Sequence, residues 1–141
     1  MSRIETILLA TDASPASEAA EDQAIELAAR LASRLVVISV VGSAPSIRAA
    51  RQLAIEAIVQ RARAAGADAT GLTWQGDAGE TIVDAAEGES ADLIVVGTHE
   101  RGAVGRIFLG SVSDHVLRHA RCPVMVVRPL RVLSASASNG S

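Results

Sequence analysis

The sequence predicts a doubly wound α/β fold, a five-stranded parallel sheet with helices on both faces. Three observations predict it. Short β-branched runs alternate with longer stretches whose apolar residues recur at helical spacing. Four of the five runs are nearly continuous in apolar residues, as strands covered on both faces must be. The length of 141 residues suits one domain, enough to bury roughly two-thirds of the unfolded surface.

The first strand is read at Ile4 to Ala10, a β-branched run ending in a polar turn. Ser14 then caps a helix with Pro15 at its first position, and Ile25, Ala28, Ala29 and Ala32 mark its inner face to about Ser33. Glu18, Glu21, Asp22 and Glu26 read as its solvated face. The second strand is Leu35 to Val41, followed by a helix over about Ile47 to Ala65 that stops before Gly66. The third, Ala69 to Gln75, is more polar, carries Trp74, and is expected at an edge of the sheet. A helix over about Gly79 to Glu87 leads to the fourth strand, Asp92 to Val96. The last helix is expected from Ser111, with Ser111 and Asp114 as a capping-box-like pair, to about Ala120. The fifth strand is Pro123 to Arg128. Residues 1–130 thus read as one domain, and 131–141, rich in Ser, Ala and Gly, as a mobile tail whose deletion should cost little stability.

Composition removes several function classes. All 13 basic residues are Arg, which excludes a phosphate-loop lysine, a Schiff base to pyridoxal phosphate and a kinase Lys–Glu pair. With no Tyr, one Phe and one Trp, there is no platform for stacking single-stranded bases. The net charge of −3 argues against general nucleic-acid binding. A lone cysteine, Cys122, allows no internal disulfide and reads as a small hydrophobe. No export signal or membrane span is visible, so a cytoplasmic protein is expected.

In open α/β sheets, ligands bind beyond the carboxyl ends of the strands where the strand order reverses. Two loops there carry polar or glycine chemistry: Thr11-Asp12 after the first strand, and Gly97 to Ser111 after the fourth. If those strands are neighbours, the order is 3-2-1-4-5 and the reversal lies between them. The second loop, GTHERGAVGRIFLGS, opens directly into a helix. Glycines admit a close backbone approach, and first-turn N–H groups favour an anion at Gly110 to Ser113. Two readings stand on the residues alone: a phosphate site, or a capped helix after a glycine-rich loop.

These residues resemble the universal stress protein family, whose nucleotide-binding members carry G-x2-G-x9-G-[ST] after the fourth strand. Gly97, the nine-residue spacing to Gly110, and Ser111 fit that pattern. The segments ILLATDASPASEAAEDQAIELAARL, GDAGETIVDAAEGESADLIVVGTH and LGSVSDHVLRHARCPVMVV are also similar to the family, so the resemblance spans about residues 3 to 128. It implies a Rossmann-like dimer that either binds ATP, with or without Mg2+, as a stress-response regulatory module or acts without nucleotide through its dimer surface. Carried over by position, Asp12 bonds the ribose or supports a metal, beside Ala10 and Thr11. Val40 faces the adenine, Gly97 lies against the ribose, Gly110, Ser111, Val112 and Ser113 hold phosphates, and Thr98 and Glu100 are also counted among the binding residues. On the residues alone, Asp12 reads equally as an Asx-type turn and Val40 as core. Pairing of two copies through Val124 to Val127 is expected, since an apolar edge strand invites cover. Protein partners are not legible.

One position departs from the pattern, because Glu100 replaces the second glycine. A carboxylate among phosphates is tolerated only if it points outward, is paired by Arg101 or Arg106, or shares a metal ion. His115 and His119 are four apart on the last helix, but DHVLRHA lacks the glutamate of a zinc hydrolase helix. Ser111, Asp114 and His115 are explained by helix-start chemistry, with no GxSxG elbow. No catalytic residue is therefore expected, and at most slow ATP hydrolysis.

Overall fold

In a computed structural model, residues 3–98 and 110–129 are described. The apolar run after Glu5 forms β1, Thr6–Ala10, whose residues 7–9 are fully buried. It starts two residues later than expected because the N–H groups of Glu5 and Thr6 donate to the Asp92 carboxylate, at 2.9 and 3.0 Å. A single 3-10 turn, Pro15–Ser17, precedes α1, Glu18–Leu31. Ser14 flanks that turn without a side-chain cap bond, and α1 ends early because Ala32 turns left-handed at φ 55°.

The chain continues through β2, Arg34–Val41, and α2, Pro45–Ala64, to β3, Asp68–Gln75. Next come α3, Ala78–Gly88, β4, Leu93–Gly97, α4, Ser111–His119, and β5, Val124–Val127. Asp77 caps α3 by accepting from the Glu80 N–H at 3.1 Å. The expected capping box at Ser111 does not form. Gly110 is the N-cap, Ser111 is the first helical residue, and the Asp114 carboxylate accepts from Arg118 at 3.0 Å.

All strands are parallel in the order β3-β2-β1-β4-β5, as the loop chemistry predicted. The two-residue period sends alternate side chains to opposite layers. Ile7, Leu9, Leu35, Val37 and Val95 pack with α1 and α2, and Leu8, Val36, Ile38, Ile94 and Val96 pack with α3 and α4. The polar strand β3 is an edge, as expected. It accepts α2 closely at Gly71, where a Cβ would come within 2.6 Å of the Ile55 methyl. On the other layer α3 meets α4 at Gly79, where a Cβ would lie 2.7 Å from His115 Cγ.

Glu21 departs from the predicted solvated face. It is 5% exposed, because its turn of α1 faces Thr11 and α2. The Thr11 hydroxyl donates to Oε2 at 2.7 Å and Arg61 donates to Oε1 at 3.1 Å. Glu18, Asp22 and Glu26 are exposed, as expected.

Candidate functional site

Strand order places the carboxyl ends of β2, β1 and β4 side by side, and a cavity of about 250 Å3 opens there. Ten of the sequence candidates line it: Ala10, Thr11, Asp12, Val40, Gly97, Thr98, Gly110, Ser111, Val112 and Ser113. Glu100, the remaining candidate, lies outside the described residues, as do His99, Arg101, Arg106 and the tail 131–141. The lining also includes Ala16, Ser17, Ile38, Ala78, Ile82 and Val96, which the sequence reading did not name. Ile38 was accessible to it, since strand alternation puts residue 38 on the same face as Val40.

The cavity has two chemically distinct ends. Toward β2 and α3 its wall is aliphatic, made by Ile38, Val40, Ala78 and Ile82. Toward β4 and α4 it is formed by Gly97, Thr98, Gly110, Ser111 and Ser113. The first hydrogen bond within α4 runs from the Asp114 N–H to the Gly110 carbonyl at 3.0 Å. The N–H groups of residues 111–113 precede it, and the glycine cap has no side chain to take them. This end of a helix attracts anions through those donors and the helix dipole.

Thr98 adds a sharper feature. It is 5% exposed, its N–H donates to the Val127 carbonyl at 3.0 Å, and its hydroxyl has no partner among the described residues. A buried hydroxyl without a partner costs about 1–3 kcal/mol, a cost that a bound polar ligand relieves.

Between the two ends, the β1 loop is braced from behind. The Thr11 N–H donates to the Ile38 carbonyl at 3.0 Å, and its hydroxyl both donates to Glu21 and accepts from the Ala13 N–H at 2.9 Å. Asp12 accepts from the Ser14 N–H at 2.9 Å and the Ser17 hydroxyl at 2.7 Å through one oxygen, Oδ1. Asp12 therefore forms the Asx-type turn and lines the cavity as well. Partial burial works against its ionisation, but the bonds from Ser14 and Ser17 and the charge of Arg51 outweigh it, holding the carboxyl below its ordinary value. Burial has the upper hand at Glu21, raising its pKa despite the Thr11 bond and Arg61. On α4, the His115 and His119 rings stack with centroids 4.1 Å apart. Cys122 is half-buried, which raises its thiol pKa.

Comparison with known proteins settles the lineage of this architecture. The family model described as the universal stress protein family matches residues 3–49 and 42–128. The chain belongs to the universal stress protein family. A universal stress protein of Thermus aquaticus is 38% identical over 135 residues, covering 88% of this chain and 98% of its own length. Another, from Methanocaldococcus jannaschii, is 31% identical over 86% of this chain and 81% of its own. Among solved structures, a universal stress protein in complex with cAMP superposes with a TM-score of 0.75 at 31% identity, covering 90% of this chain and 98% of that one. The fold class and family expected from the sequence are thus the ones found. No helix among the described residues is long and apolar enough to cross a membrane.

Proposed function

We propose that this universal stress protein binds an adenine nucleotide in the cavity at the β1–β4 reversal and acts as a regulatory module. The observation that carries the reading is the polarity of the cavity, aliphatic at β2 and α3 and donor-rich at the start of α4. A nucleotide has the same polarity, an apolar base at one end and phosphates at the other. The described walls enclose about 250 Å3, near the small end of ligand cavities, which start at about 300 Å3. The related protein solved with cAMP supports the adenine class. ATP is the nucleotide proposed, with Ser111, Ser113 and the α4 N–H groups at its phosphates and Val40 at its base. Where a triphosphate brings Mg2+, Asp12, kept ionised by its serine donors, is the carboxylate of the described lining positioned to support it. The module is read as a cytoplasmic binding protein with at most slow hydrolysis of its ligand.

Mass spectrometry of ligand released from the purified protein, followed by calorimetry with ATP and AMP, tests this. Ser111→Ala should weaken binding by about 0.5–1.5 kcal/mol, the net value of one hydrogen bond. Because Gly110 and not Ser111 is the N-cap, the same variant should melt at the wild-type temperature. Absence of nucleotide in the purified protein together with no heat on titration would end the proposal.

A second reading rests on β5. Its four residues are half-buried although the strand terminates the sheet. Met125 and Val127 pack against one layer of the core, and Val124 and Val126 against the other. A short apolar terminal strand is a template for another chain, and we infer that a second copy covers it, making a homodimer whose surface binds other proteins independently of nucleotide. Sedimentation should give a dimer at micromolar concentration. A monomer there would remove this reading and leave the cavity as the functional feature of the described residues.

A further inference from the structure

We propose that Trp74, one strand beyond the residues that line the base end of the cavity, contacts the outer edge of a bound base and makes the site selective for ligands carrying a flat aromatic base. The inference rests on the nucleotide reading above and deepens it. In the β2–β3 register Ile38 pairs with Leu72 and Val40 with Trp74. Ile38 belongs to the core layer under α3, and Val40 and Leu72 pack on that same layer. Paired residues of parallel strands share a face, so Trp74 stands on the cavity side of the sheet.

Its position is the one a base would reach. Neighbouring strands lie about 4.8 Å apart, so Trp74 is one strand beyond Val40, on the side away from β4 and α4. Ala78 and Ile82, which line the aliphatic end, follow Trp74 on the same chain segment through the start of α3. A ligand with its phosphate at α4 and its base on Val40 therefore directs the outer edge of that base toward β3.

The indole is also underused by the protein. Trp74 is the sole tryptophan of the chain and is 41% exposed, although a large aromatic surface gains by burial against another ring. The residues of the aliphatic wall, Ile38, Val40, Ala78 and Ile82, give contact without directional preference. An indole adds stacked or edge-to-face contact, which rewards a purine and gives nothing to a sugar phosphate without a base.

Because Trp74 is the only tryptophan, its fluorescence reports on the β3 flank beside the base end alone. Titration of the wild-type full chain with AMP or ATP should change the emission, and ribose 5-phosphate should not. Calorimetry should find nucleotide affinity about three- to tenfold weaker in Trp74→Ala, largely restored in Trp74→Phe, with the affinity for ribose 5-phosphate the same in all three. Circular dichroism confirms that each variant is folded. Wild-type affinity for AMP and ATP in Trp74→Ala, with no emission change in the parent, overturns the role of Trp74 while leaving the nucleotide site standing. A wild type that binds no nucleotide by calorimetry overturns both.

Discussion

Gly79→Ala should destabilise this domain, because forcing atoms into a filled contact usually costs about 1–3 kcal/mol. The added Cβ would stand 2.7 Å from His115 Cγ and 2.9 Å from both Cβ and Cδ2. Those atoms are close to the backbone of α4 and cannot swing away as the end of a long side chain would, so the helices must separate. Alanine's better helix propensity offsets at most about 1 kcal/mol. The net loss of about 1–2 kcal/mol should appear as a melting temperature about 3–8 °C lower. His115→Ala removes two of the three obstructing atoms, so the double variant should recover part of the loss, a coupling of at least about 0.5 kcal/mol. Since α4 also carries Ser111 and Ser113 into the cavity, displacement of α4 should weaken nucleotide binding in Gly79→Ala and restore some of it in the double variant. An unchanged melting temperature in the single variant would mean that α3 and α4 are not in close contact at residue 79.

The strands and their order were legible because each rule involved is local or topological. Continuous apolar runs such as LVVISVV leave no choice but burial on both faces, and the two ligand-type loops decide which strands adjoin at the reversal. The two loops of the cavity and its anion end at Gly110 to Ser113 were legible for the same reason, whereas Ala10 and Val40 came from the family resemblance. Contacts between distant segments were not legible. Ala78 and Ile82 reach the cavity only because α3 packs across the end of β2, and periodicity within α3 carries no information about which end of the sheet it covers. The start of α4 failed differently. Ser111 followed by Asp114 satisfies the capping pattern, but Gly110 adopts the extended cap conformation, with φ −71° and ψ 169°, and moves the serine into the first turn. The outcome favours binding, because a glycine cap leaves the helix donors to a ligand.

The burial of Glu21 is masked by its place in the helical pattern. At helical spacing it falls among Glu18, Asp22 and Glu26 and looks solvated, yet its carboxylate is buried between the Thr11 hydroxyl and Arg61. Glu21→Ala should destabilise the fold by about 1–3 kcal/mol, because the buried Thr11 hydroxyl loses its acceptor. The loss should extend to the loop, since that hydroxyl also accepts from Ala13, which is held left-handed at φ 63°. The pH dependence of this loss has a definite sign. Burial raises the Glu21 pKa above its ordinary value, so between those two values the folded state binds more protons than the unfolded state. Glu21 therefore stabilises most at pH below the unfolded value, and part of that contribution disappears as the pH rises through the folded one. The gap in unfolding free energy between wild type and Glu21→Ala, measured in denaturant across this range, should narrow as the pH increases. Taking the difference cancels the carboxylates remote from Glu21, but not Glu18 and Asp22, whose charges act on it. A gap that widens with pH would show that the attraction of Arg61 and the Thr11 bond exceed the desolvation of the carboxylate, and that Glu21 holds the cavity loop as a stabilising charge.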